Sequence, residues 1–82
     1  MTNRKRFLAF LGALISTLDE EPTGSAPDGI CYAGLMARDC SYDEYTNIRL
    51  TLVQNGLLTV TNDTLTLTGA GRVLAKRLMA PA

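Results

Sequence analysis

The chain contains no histidine, and that absence removes the commonest general base, the usual pH switch and the commonest metal ligand together. It has no net charge either. Eight Lys or Arg balance eight Asp or Glu, so bulk charge supplies no attraction to nucleic acid or anionic membrane, and any such attraction must come from a local patch. Cysteine is scarce: Cys31 and Cys40 stand apart with no CxxC pair, so zinc-ligand spacings are missing. If Ile30 to Arg38 is helical, a rise of about 1.5 Å per residue sets their Cα atoms roughly 13 Å apart, too far for a disulfide. Both read as reduced thiols, Cys31 as a small hydrophobe and Cys40 in a loop. Gly69-Ala70-Gly71 lacks the Gly-Lys-Ser/Thr ending of a phosphate loop, and the adjacent carboxylates Asp43 and Glu44 would point about 100° apart on a helix. No catalytic residue, cofactor site or metal site is expected.

Long hydrophobic runs are absent too. The longest uncharged stretch near the N-terminus, Phe7 to Leu18, falls short of the roughly 20 residues a spanning helix needs. Arg4-Lys5-Arg6 ahead of it mimics a secretory signal, but no A-x-A-like cleavage site follows, so a cytoplasmic protein without a membrane partner is expected. What remains is 82 residues, 46% hydrophobic and 20% charged, without low-complexity runs, which reads as one globular unit.

Phe7, Phe10, Leu11, Leu14 and Leu18 recur at helical spacing and predict a first helix over about 4–18. Its end charges oppose the helix dipole, with Arg4-Lys5-Arg6 at the positive end and Asp19-Glu20-Glu21 at the negative end, so tertiary contact must hold it. Leu8 and Ile15 flank the stripe, and Ala9, Gly12, Ala13 and Ser16 cover the back without a charge. Residues 21–28 collect turn formers and read as a loop.

A helix-turn-helix unit is predicted over 29–55. It begins with a short helix from Ile30 to Ala37, to be held by burial of Ile30, Ala33, Leu35 and Met36, and turns at Asp39-Cys40. Ser41-Tyr42-Asp43-Glu44 then forms an S-x-x-E capping box. The helix it opens should bury Tyr45, Ile48 and Leu52, show Thr46, Asn47, Leu50, Thr51 and Gln54 on the opposite face, and stop at Asn55-Gly56.

Over 57–67, Leu58, Val60, Leu65 and Leu67 alternate with threonines around Asn62-Asp63, the pattern of a hairpin with a type I′ turn. Thr61 should pair with Thr64 and Val60 with Leu65, every leucine and valine sharing one face. Thr68 caps a last helix over 69–79, with Leu74 and Leu78 inward, Arg72, Lys76 and Arg77 wet, and Pro81 ending it. The fold class is mainly α with a small β-hairpin.

Two local motifs carry a resemblance. Leu52-x-x-x-Gly56-Leu57 and Leu67-Thr68-x-x-Gly71-Arg72 look like pieces that recur in small bacterial winged-helix regulators. The order helix, loop, short helix, capped helix, hairpin, helix also resembles winged helix-turn-helix domains, over about Asp28 to Leu78. That resemblance implies a single winged-helix-like domain over 1–82, a third helix that reads base edges, and a hairpin wing that touches phosphates with Lys or Arg. The residues depart from that chemistry: Asp43 and Glu44 open the third helix, and the hairpin has no Lys or Arg and carries Asp63 at its tip.

Two functions follow. The one favoured by charge is a non-enzymatic interaction module that forms a homodimer or binds another protein, through Leu8, Ala9, Gly12, Ala13 and Ile15 on the first helix and Val73 on the last. The alternative is a DNA-binding transcriptional regulator, with Asn47, Arg49 and Thr51 reading bases while Arg4, Lys5, Arg6, Arg72, Lys76 and Arg77 hold phosphates. A small-ligand pocket near Tyr32, Met36 and Tyr45 would look the same in sequence as core, and core is the expectation there.

Overall fold

In the computed structural model, which describes residues 3–79, helix α1 (Asn3–Glu20) is held at the points where its own charges oppose its dipole. At its C-terminal end Arg72 bonds Asp19 at 3.0 Å and donates to the carbonyls of Glu21 and Pro22 at 3.5 and 3.1 Å. A cation is thereby delivered to the negative pole by tertiary contact. Near the other end the Arg6 side chain reaches across to pair with Glu44. Arg72, expected to stay wet, is therefore a tertiary cap.

The remaining elements are β1 (Ser25–Pro27), α2 (Asp28–Met36), α3 (Tyr42–Gln54), β2 (Leu58–Thr61), β3 (Thr64–Leu67) and α4 (Gly69–Met79). The fold is mainly α, with a three-stranded antiparallel sheet in the order β1-β3-β2. No helix among the described residues is long and apolar enough to cross a membrane. Pro81, expected to end the last helix, lies outside the described residues.

The 21–28 segment is not all loop. Ser25, Ala26 and Pro27 pair with Thr66, Leu65 and Thr64, and the Ser25 and Thr66 hydroxyls meet at 2.8 Å. Three residues rich in turn formers carry too little periodicity to announce an edge strand, and Pro27 is tolerated there because an edge position needs no outward amide.

The hairpin has the expected register, Thr61 opposite Thr64 and Val60 opposite Leu65, and Asn62 and Asp63 take positive φ of 50° and 60° as a type I′ turn requires. Both helix stops are αL caps. Gly56 at φ 71° sends its amide to Val53 while Leu57 reaches Leu52, and Asp39 at φ 73° does the same work for α2 with bonds from Asp39 to Met36 and Cys40 to Leu35.

The core joins α1, α3 and the sheet through Leu14, Ile15, Leu18, Tyr45, Ile48, Leu52, Leu58 and Leu65, all essentially inaccessible. Several assignments move. In α2 it is Cys31 and Leu35 that are buried, while Ile30, Ala33 and Met36 face solvent, because α2 meets the core along one narrow stripe only. In α4 Gly71 and Ala75 are buried and Leu74 is half-buried against the core; Leu78 overhangs Gly12 of α1 and stays half exposed where the core runs out. Val60 shares a face with Leu65, but Leu65 lies on the central strand and Val60 on the edge strand β2, where the core no longer covers it, and it is exposed. Cys31 and Cys40 are both free and both buried, and burial raises both thiols.

Candidate functional site

The Ser41 capping box that opens α3 forms as expected, with the Ser41 hydroxyl accepting from the Glu44 amide at 3.1 Å and Glu44 accepting from the Ser41 amide at 2.9 Å. Glu44 has a second task. Arg6 approaches it at 2.5 Å through Nε and also donates to the carbonyl of Asp39, so α1 is tied to the turn between α2 and α3. The Arg6 hydrogen bond, with the Ser41 amide second, holds the Glu44 carboxyl down at about 2, and the same bond raises Arg6. The negative charge expected to repel DNA at the start of α3 is thus half cancelled: Glu44 is matched by Arg6, and Asp43 stands exposed without an ion pair among the described residues.

Because Glu44 has a lower pKa folded than unfolded, its contribution is present above the unfolded value near 4.5 and is lost as pH falls toward about 2. Glu44→Gln keeps a capping box but loses the ion pair. The variant is expected to lose less melting temperature than wild type between pH 5 and pH 2.5. Equal losses in thermal melts would mean that the clasp does not couple to folding.

Two further arginines are engaged in the same way. Arg49, expected to read bases, pairs with Asp28 at 2.9 Å and lies over the Tyr45 ring at 5.6 Å, and Asp28 also accepts the Tyr45 hydroxyl. Burial first, and that bond second, push the Tyr45 phenol up. Arg72 is held by Asp19 as described. These pairs stay partly exposed and so stabilise the fold only weakly, but each engages a guanidinium that would otherwise be free to meet a phosphate. Arg4, Lys5, Arg38, Lys76 and Arg77 are exposed with no ion pair among the described residues. Asn47 is exposed on α3, and Thr51 lies half-buried on its flank.

The expected self-association set is not one surface. Ile15 is buried in the core, because α1 is covered along a wide arc by both the sheet and α4. Gly12 lies under Leu78, and Ala13 lines a small cleft between α1 and α2 with Thr17, Ile30 and Gly34. Leu8 and Ala9 are exposed on α1. Val73 lies elsewhere, in a groove of about 540 Å³ with Asn55, Leu57, Ala70, Leu74 and Arg77. The aromatic group expected to be core is mixed: Tyr45 is buried, Met36 is exposed, and the half-buried Tyr32 ring stands 5.6 Å from Tyr42 and 5.2 Å from Tyr45.

What the structure assembles instead is an apolar outer face on α3 and the hairpin. Tyr42 is 60% exposed, Leu50 51%, Val53 39% and Val60 41%. Leu50, Val53 and Val60 line a groove of about 420 Å³ with Thr46, Arg49 and Asp63, and the Thr46 hydroxyl is buried there without a hydrogen-bond partner. A signal for this face is present in the sequence. Positions 42, 46, 50 and 53 form a second stripe on α3, offset from Tyr45, Ile48 and Leu52, and holding no charge. The face can bury apolar surface against a partner; it offers no cation to a phosphate except the already paired Arg49.

Comparison with family models, with curated proteins and with solved structures finds no match.

Proposed function

We propose that this chain is a cytoplasmic, non-enzymatic protein-interaction module of winged-helix-like architecture that associates with a second copy of itself, in a regulatory or accessory role. The winged-helix reading is supported by the element order, in which β1 falls between the first two helices and the hairpin follows the third, and by the strand order β1-β3-β2. The interaction reading is carried by one observation: the flank of α3 beside the hairpin presents Leu50, Val53 and Val60 together in one groove, whose single cation, Arg49, is already paired with Asp28. Contiguous exposed apolar groups of this kind mark association surfaces.

Sedimentation equilibrium at high micromolar concentration is the test. A concentration-dependent dimer is expected, and a monomer throughout would end this reading. DNA binding stands as the alternative because of the architecture and the cations Arg4, Lys5, Lys76 and Arg77, which have no ion pair among the described residues. For the interaction module, no shift of a generic duplex is expected at about 50 mM salt, whereas binding with a steep log-log salt slope would transfer the assignment to a DNA-binding regulator.

A further inference from the structure

We infer that the free edge of β2 is the element that self-associates, pairing antiparallel with β2 of a second copy across a two-fold axis. The inference rests on the self-association proposed above and names its geometry.

The register decides which backbone groups are available. A two-residue turn makes Thr61 and Thr64 a hydrogen-bonded pair, so Thr59, opposite Thr66, also points its amide and carbonyl at β3. The alternation then turns the amide and carbonyl of Val60 away from β3. No backbone hydrogen bond among the described residues connects Val60 to anything outside the hairpin.

Edge strands of this kind are ordinarily blunted by charge, proline or a covering element. The other edge of this sheet follows that rule: β1 is three residues long and ends in Pro27, which has no amide to offer. β2 does not, since Leu58–Thr61 holds neither a charge nor a proline and has high β-propensity.

The occupant that fits is another copy. An antiparallel strand pair is self-complementary under a two-fold, so the same edge serves both sides. With Val60 opposite Val60 of the partner subunit, Thr59 falls opposite Thr61 of the partner subunit. Threonines then stay with threonines on the solvent face, while the two valines meet on the face that carries Leu50 and Val53.

Three variants test this by sedimentation equilibrium and oxidative cross-linking. Val60 is exposed, so Val60→Lys should fold with unchanged circular dichroism and weaken the dimer about 30-fold or more by placing two like charges at the axis. Val60→Cys should oxidise to a covalent dimer, because a hydrogen-bonded antiparallel pair sets its Cα atoms about 5.5 Å apart, inside disulfide range. Leu8→Cys, on exposed α1, should not. If the wild type dimerises while Val60→Lys retains the dimer and Val60→Cys stays uncross-linked, the strand pairing is wrong and self-association uses another surface. A wild type that never dimerises overturns both.

Discussion

Gly71→Ala is expected to destabilise the protein by about 3 kcal/mol, at the upper end of what overpacking usually costs, and to lower its melting temperature by about 15 °C. A Cβ built on Gly71 would overlap the carbonyl oxygen of Leu57 and come within 3.0 Å of Leu67 Cδ2. The carbonyl cannot simply retreat, because it accepts the Thr68 amide at 3.1 Å. Thr68 in turn donates its hydroxyl to the Gly56 carbonyl at 2.6 Å and accepts the Gly71 amide at 3.1 Å. One small residue thus lets α4 dock on the junction between α3 and the hairpin. Gly69, two positions away, has open space around its Cβ position, so Gly69→Ala is the matched control and should change stability by about 0.5 kcal/mol or less. Denaturant melts of the two variants decide it; equal midpoints would mean that α4 does not dock at Gly71.

Ile15→Ala should cost about 3 kcal/mol, and Leu8→Ala within about 0.5 kcal/mol of nothing. The sequence treats the two alike, as flanks of one stripe. In the structure Ile15 is fully enclosed, whereas Leu8 is half exposed one to two turns closer to the N-terminus. Removing the buried side chain leaves a cavity among Leu14, Leu18 and their neighbours that rigid helices cannot close. If both substitutions cost the same in chemical denaturation, the wide burial of α1 is incorrect.

The pair shows where sequence reasoning stops. Periodicity identifies which side of a helix is most apolar, but how wide an arc is covered depends on what packs beside it, and α4 supplies that from more than fifty residues away. Ile30, Met36 and Leu78 err in the other direction. Each lies on or beside a plausible stripe, and each is exposed because a domain this small exhausts its core before its helices end. The two motifs that suggested a winged-helix regulator have mechanical meaning: Gly56 takes the left-handed stop, Thr68 bridges to it, Gly71 admits close approach and Arg72 caps α1. The spacing was legible, but the partners were not.

From the sequence alone come the elements whose cause is local: the capping box at Ser41, the αL stop at Gly56, the Asn62-Asp63 turn with its register, and the mainly α composition of the fold. These depend on bonds or dihedrals within a few residues, so short-range chemistry is sufficient. Tertiary structure alone decided that Ser25–Pro27 is a strand, that Arg6, Arg49 and Arg72 are clasped by Glu44, Asp28 and Asp19, and that Leu50 and Val53 meet Val60 at the surface. Each of those requires two segments distant in the chain to arrive at one place, and no local propensity encodes the meeting.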